Sequence, residues 1–559
     1  MRSDSGARRD RPSSFNARDA WALAFFLGAL WILRLSWLWH SAASAGYWEE
    51  SYRWTVAHEL LTRPAQPLLE YQADHYQGGS LVMSLLSVPF LALFGESMKT
   101  FKLSALLVSS GTLTMIFLLG RRFFGRSVAW LASAAYLAGP PLVAFWGLSV
   151  MGSHGESILF SLGQIYLFLG ILAGRKQELR AWAALGLVSG LGVWFCYTSA
   201  LSVAACGLAW LILRGPPRRR EFLTTLAGGL LGLAPWFAYN VRHSFQGFVR
   251  ILQLLGFGNP IDPWAAQGVL SKAAALFTHD LPVGLMNPMD NGYSRAANAV
   301  VALAFILPLA VALLAAVLRE GRFLMQAGGP FRAAGAENDE RRRELVFVVY
   351  AFVFLLAFLS SRFAVDPAQG IVAYRFFTPP AVLLAFPAAI SAVRAYRRRG
   401  GRRLAAVAGC LLALTASALA TTALALRFVE DRQFLDVKRG YFTMGALLYQ
   451  KFESDLARAL EAADRLPEAA SRDLVWRGIG RGVEYRLEKE ETFDRARREL
   501  AALPPLARVQ ILEGAQWEAG VRTADLSRRA DPGRYRDLLA RISRIYEFAR
   551  RERARLPAE

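Results

Sequence analysis

Apolar runs close to bilayer length recur between Trp21 and Leu426, with short basic blocks between them. A helix needs about 20 apolar residues to cross the hydrocarbon core. Lipid offers no partner for a backbone N–H or C=O, so such runs persist as helices that satisfy their own backbone. The chain therefore reads as an all-α polytopic membrane protein. Its 559 residues are 54% hydrophobic, with positive mean hydropathy. A formal net charge of +21 would suit a nucleic-acid binder if the cations formed one patch or arm. Here they sit between apolar spans, where Lys and Arg mark cytoplasmic loops. Nucleic acid is thus not an expected partner.

Orientation follows from those blocks. Met1 to Asp19 is polar and arginine-rich and reads as a disordered cytoplasmic tail. Trp21 to Trp39 is the first span, with Arg34 near its outer end able to snorkel to the headgroups. Ala43-Ser44-Ala45 resembles a signal-peptide cleavage site, but the apolar segment is long and rich in Trp and reads as an anchor. The next loop then lies outside, with surface helices over Ser51 to Leu61 and Ser80 to Phe94. The second carries Pro89 and is too short for a full crossing. Lys99 to Leu119 returns to the inner block Arg121-Arg122-Phe123-Phe124-Gly125-Arg126.

Val128 to Leu148 then runs outward, and Ile158 to Ala173 runs inward. Trp182 to Leu213 is a hairpin turning near Cys196 to Ser199, and Phe222 to Tyr239 goes out. Asn240 to Arg295 is a second outer loop, with surface helices expected around Phe248 to Phe257 and Val269 to Phe277. Ala296 to Leu318 returns to an inner linker, Arg319 to Glu344. Leu345 to Ser360, Arg375 to Val393 and Leu404 to Leu426 complete about eleven crossings. The expected division is a tail (1–19), a transmembrane domain (20–426) and a helical extracytoplasmic domain (427–559). In the last, Leu447, Leu448, Phe452, Leu456 and Leu460 recur at helical intervals. Val475 to Leu487 and Val509 to Val521 share a loose aromatic-and-glycine pattern, either a short helical-hairpin repeat or chance.

The first outer loop holds the chemistry-bearing residues: Glu49 and Glu50, then Asp74 and His75. A carboxylate beside a hydroxyl can take its proton as a bond forms. The bland alternative is that Glu49 and Glu50 open a solvated helix, where acidic first-turn residues suit the dipole. All six histidines, His40, His58, His75, His154, His243 and His279, map to the predicted outer side. None has the spacing of a zinc helix such as H-E-x-x-H; a divalent cation therefore stays open, without a clear metal motif. Cys196, Cys206 and Cys410 fall in or at the ends of apolar segments, as small packing residues do.

The order of these features resembles the polytopic GT-C glycosyltransferases. It comprises an acidic pair after the first span, a juxtamembrane helix, a second ending in Leu93-Phe94-Gly95, and a span closing with Gly120-Arg121-Arg122-Phe123-Phe124-Gly125. Gly232-Leu233-Ala234-Pro235-Trp236 through Tyr239-Asn240, and Tyr374-Arg375-Phe376-Phe377-Thr378-Pro379, extend the likeness from about Trp21 to Val393. Protein O-mannosyltransferase-like enzymes and lipid A aminoarabinose transferases are the branches it resembles. The resemblance implies an inverting transferase that passes a sugar from a polyisoprenyl-phosphate donor to a lipid, glycan or protein acceptor at the outer membrane face. It puts Glu49 where the family has an aspartate and Glu50 where it has a glutamate. The family's proline pair before the second juxtamembrane helix is replaced here by Gln77-Gly78-Gly79-Ser80.

Such chemistry needs a base on one side and positive charge on the other. Glu49 or Glu50 is the expected base, with Asp74 or His75 as helper. Arg375, beside Tyr374, is the expected phosphate clamp, since guanidinium binds phosphate bidentately; the alternative is an interfacial anchor. His154 and Glu156 are expected to contact sugar or to cap the span starting at Ile158. The expected setting is a bacterial inner membrane, with the amino terminus cytoplasmic and the carboxyl-terminal domain periplasmic. Two other readings remain. A transporter would keep ionisable residues near mid-bilayer in repeated halves, and a catalytically idle scaffold would tolerate loss of both Glu49 and Glu50.

Overall fold

The computed structural model describes residues 15–41, 48–74, 77–174, 178–254, 268–286, 295–326, 339–361, 374–397, 401–430, 437–452, 455–466, 469–488, 490–527 and 536–556. Among these the regular structure is helical, and one isolated bridge pairs Asp74 with Gln77. Six helices are long and apolar enough to cross a bilayer, or seven if one bent pair counts as a span, and four shorter apolar helices accompany them. The chain is an integral, multi-pass membrane protein.

In chain order, α1 (Ala17–Ser41) is followed by α2 (Trp48–Thr62), α3 (Gly79–Phe94) and α4 (Met98–Phe123). Asp19, placed in a disordered tail from sequence, lies inside α1 and is buried. Arg121 at 2.9 Å and Arg126 at 3.0 Å hold its carboxylate, which explains a buried acid at the start of an apolar helix. Arg34 does not snorkel: it is 5% exposed, with its guanidinium over the Trp37 ring. The expected span 128–148 is broken into α5 (Arg126–Ala138) and α6 (Pro141–Trp146). Gly139 sits at φ +30° and two prolines without N–H groups follow it, so the ladder cannot continue.

Then come α7 (Ile158–Leu172), α8 (Leu179–Phe195) and α9 (Ser199–Arg214), the last two forming the hairpin expected to turn near Cys196 to Ser199. α10 (Arg219–Gly232) and α11 (Ala234–Arg242) are bent by 54° at their break, where Pro235 follows. The second large loop contributes α12 (Gln246–Leu254), α13 (Val269–Ala275) and α14 (Leu281–Met286), close to the two surface helices expected there. The remaining apolar helices are α15 (Arg295–Gln326), α16 (Asp339–Ser360), α17 (Thr378–Leu383), α18 (Ala385–Arg397) and α19 (Gly401–Glu430). The final segment forms α20 (Val437–Lys451), α21 (Leu456–Asp464), α22 (Ala469–Glu488), α23 (Glu490–Ala501), α24 (Pro505–Ser527) and α25 (Arg536–Ala554).

The chain divides into two compact units. The first takes in residues 1–45, 102–237 and 248–432 and holds most of the apolar helices. Its α8 and α10 meet along glycines. A Cβ at Gly186 or Gly190 would strike the backbone of Thr225 or Gly229, and one at Gly228 or Gly232 would strike Ala183 or Leu187. Small residues of this kind let helices in lipid approach closely enough for dispersion to hold them.

The second unit takes in 46–101, 238–247 and 433–559. Its border therefore differs from one drawn on charge alone, because the loop after α1 shares a core with the terminal helices. Tyr52, Val56, Tyr71 and Leu81 are buried in the same cluster as Met444, Leu448, Ile479 and Ile511. Here too glycines set the spacing. Gly440 of α20 faces Ser51 and Thr55 of α2, Gly445 and Gly478 join α20 to α22, and Gly480 and Gly514 join α22 to α24. The aromatic-and-glycine pattern seen in the sequence at α22 and α24 is thus a mutual packing seam.

Candidate functional site

The first cluster of expected residues lies in the second unit. α2 opens with Glu49 and Glu50 in its first turn, where exposed N–H groups favour carboxylates. The helix start is not solvated, however: Glu50 is fully buried, as are Ser51 and Thr55. Glu49 keeps partial exposure and pairs with Arg53 at 3.2 Å, one turn along. The same guanidinium donates to the Glu49 carbonyl at 2.7 Å, so the two contacts fix its orientation.

Tyr52 ties this helix to the following loop by donating to the Tyr71 carbonyl at 2.8 Å. Beyond it, Gln77 donates to the Asp74 carboxylate at 2.9 Å and Gln72 to the Asp74 carbonyl at 3.0 Å. The Ala73 N–H donates to Ser80 Oγ at 2.8 Å, which anchors the loop to the first turn of α3. The Gln77-Gly78-Gly79-Ser80 stretch that departs from the resembled family is therefore the stretch that holds Asp74. His75 lies outside the described residues.

Sequence reasoning missed a polar centre beside this loop. Glu70 and His243 meet at 2.9 Å, and Tyr239 stacks on the His243 ring at 4.2 Å. Burial pushes the Glu70 carboxyl up, but the His243 hydrogen bond and charge, with Lys451 and Arg242, bring it below its ordinary value. Lys451 is buried and donates to the Glu70 carbonyl. Its burial brings the ammonium down to about 8, against the opposing pull of Glu70 and Asp74. Glu59 accepts from Tyr441 at 2.5 Å, and burial raises its carboxyl above the usual range. His243 and Tyr239 had been noted only for their side and their motif. Their partners lie far away along the chain, and no local pattern links them.

The second cluster lies in the first unit, on the loop between α6 and α7. Glu156 accepts from the backbone N–H groups of Met151, Gly152 and Ser153 at 2.7, 2.9 and 3.1 Å. Burial nonetheless raises its carboxyl, because three dipoles offset only part of the lost hydration. Of its two expected roles the geometry favours a cap, but on the turn before α7, and it leaves the carboxylate little capacity for a sugar. His154 is 2% exposed, 3.1 Å from Thr198 Oγ1 and 4.3 Å from the Phe376 ring centroid. Its burial, and secondly the charge of Arg375, hold it well below its usual value, so it is a neutral imidazole.

Arg375 lies in a short 3-10 turn at 374–377, with its guanidinium 5.5 Å from the Phe376 centroid. Tyr374 is buried, and its ring occupies the space a side chain on Gly284 would need. One cation at this loop escaped the sequence reading: Lys102, fully buried, donates to the Leu148 carbonyl at 3.3 Å. It had been counted only as part of a span. Among the described residues no group of three or more His, Cys, Asp and Glu could hold a metal ion.

Residues 79–239 match the family model of dolichyl-phosphate-mannose-protein mannosyltransferases. This bears out the GT-C resemblance and lies within the stretch over which it was drawn. No curated protein is matched. Among solved structures the chain is similar to ArnT from Cupriavidus metallidurans in the apo state, at 15% identity, TM-score 0.43, covering 78% of this chain and 80% of that one. It is also similar to the same protein bound to undecaprenyl phosphate, at 14% identity, TM-score 0.47, covering 90% and 88%. At these scores neither structure assigns a role to a residue here.

Proposed function

We propose that this chain, a multi-pass helical protein with a dolichyl-phosphate-mannose-protein mannosyltransferase stretch at 79–239, is a GT-C membrane glycosyltransferase. It moves a sugar from a polyisoprenyl-phosphate donor to an acceptor. The family match carries the reading, and the residues supply a mechanism. Glu49 takes the proton of the acceptor hydroxyl or amine, which attacks the anomeric carbon. The bond from that carbon to the phosphate oxygen breaks, its electron pair leaves with the lipid phosphate, and the configuration inverts. Glu49 is favoured over Glu50 because it retains exposure while Arg53 fixes its orientation. Asp74, held by Gln77, is the helper. Arg375 is the phosphate clamp of this reading, since a guanidinium offers paired donors to phosphate oxygens.

In this reading the membrane is a bacterial inner membrane, the amino terminus is cytoplasmic, and the acidic loop and terminal helices face the periplasm. The test is transfer by the purified chain in nanodiscs, supplied with a panel of radiolabelled sugar polyisoprenyl phosphates and an envelope extract as acceptor. Release of free lipid phosphate together with label in an acceptor supports the reading. No turnover with any donor, from protein whose melting curve is intact, contradicts it and moves the scaffold forward.

A further inference from the structure

The terminal helices carry an open cavity of about 760 Å³ that the transferase reading does not use. α23, α24 and α25 form its walls, and Ala501, Ala540 and Phe548 supply apolar surface. Its charged lining is Arg497, Arg508, Arg544, Arg551 and Arg555 against Glu547 and Glu552, five positive groups less two negative, a formal +3.

Both carboxylates are already engaged. Glu552 is shared by Arg508 at 2.6 Å and Arg555 at 2.9 Å, and Glu547 pairs with Arg550 at 2.7 Å. Arg544 reaches a carboxylate only at 4.0 Å, on Glu490. Arg497 and Arg551 have no ion pair among the described residues, and both are exposed. Elsewhere in these helices arginines are matched closely: Arg522 to Glu484, Arg486 to Glu499, Arg481 to Glu518. Like charges gathered around a concave surface raise the local potential and attract counter-ions. Guanidinium groups in particular offer paired donors to phosphate oxygens.

We infer that this cavity is a binding site for a phosphate-bearing group, gripped by Arg497, Arg544 and Arg551 above an apolar floor that accepts the face of an attached sugar or glycerol. The inference stands independently of the transferase reading, since none of these residues enters the proposed chemistry. Two sources share the chemistry, a soluble phosphorylated saccharide and an anionic lipid headgroup.

The experiment uses the full chain in nanodiscs of zwitterionic lipid, titrated with glucose 1-phosphate and, for comparison, glucose. Saturable binding of the phosphate ester and not of glucose is expected, weakening as salt rises. An Arg497→Ala/Arg551→Ala double variant should bind at least tenfold more weakly. Arg497→Lys/Arg551→Lys should recover part of the loss, and Arg495→Ala/Arg541→Ala, an equal charge loss on the same two helices outside the cavity, should bind as the native chain does. Repeating the titration in discs containing phosphatidylglycerol separates the sources: competition assigns the site to headgroups, undiminished binding to soluble esters. Absence of binding by the native chain, or equal affinity in the double alanine variant, overturns the inference.

Discussion

The segment between α1 and α3 and the loop between α6 and α7 both bring carboxylates out of water, by different means. In the first, side chains face the acids: Arg53 for Glu49, His243 for Glu70. In the second, three backbone N–H groups close on Glu156 and no side-chain cation is needed. A carboxylate held by a side chain can exchange that partner for a substrate. One held by backbone donors is part of the frame, and releasing it undoes the turn. On the proposed function, this difference separates Glu49, offered for chemistry, from Glu156, which supports the frame.

The largest effect expected is on turnover. Glu49→Gln should lower it by about 10²- to 10⁴-fold, the usual contribution of a general base, with a smaller fall in melting temperature, from the lost Arg53 pairing, than Glu156→Gln shows. Glu156→Gln should invert that pattern. The amide presents hydrogens where the backbone already donates, and a broken buried charge-assisted bond costs about 1.5–3 kcal/mol. A fall in melting temperature should therefore accompany or exceed any loss of activity. If Glu156→Gln melted normally and lost only activity, the contrast between the two loops would fail.

Next in size is the glycine seam of the terminal helices. Gly514→Leu should destabilise the second unit by about 1–3 kcal/mol or more, the range for overpacking, because its Cβ would meet the Arg477 carbonyl. Hydrogen exchange should show α22 and α24 opening before α8 and α10. Arg375→Lys should keep the fold and weaken donor capture by about tenfold, read as a raised KM, because a point charge replaces a bidentate fork.

The smallest effect is a pH dependence. The folded Glu70 carboxyl sits below its ordinary 4.5, so it contributes stability that is present above about 4.5 and lost as pH falls through the lower folded value. Glu70→Gln should flatten that acid limb, and an unchanged limb would remove the His243 pairing from the account.

Much of the architecture was legible because hydropathy and basic blocks act locally. The α8–α9 hairpin at Cys196, the short α3 with Pro89, and the helices of the second loop all fall close to their expected places. The break at Gly139 was written in Gly-Pro-Pro but outweighed by apolar length. Asp19 was misread because an acid near a terminus looks solvated until its arginines, more than a hundred residues away, are known. The site was legible as residue types and not as pairs. Glu70 meets His243 across 173 positions and Glu59 meets Tyr441 across 382, distances that periodicity does not carry. The glycine pattern of α22 and α24 was visible, but its meaning depended on each helix being the other's partner.

The most direct test of the transferase account is a comparison of lipid extracts from cells carrying the native chain, no chain, or a Glu49→Gln/Glu50→Gln double variant confirmed to insert normally. The account predicts that one sugar-loaded polyisoprenyl phosphate accumulates in both defective strains and not in the native one. Accumulation in the deletion alone would contradict the role given to the acidic pair. No change in either, in cells shown to hold the donor, would contradict the transferase itself.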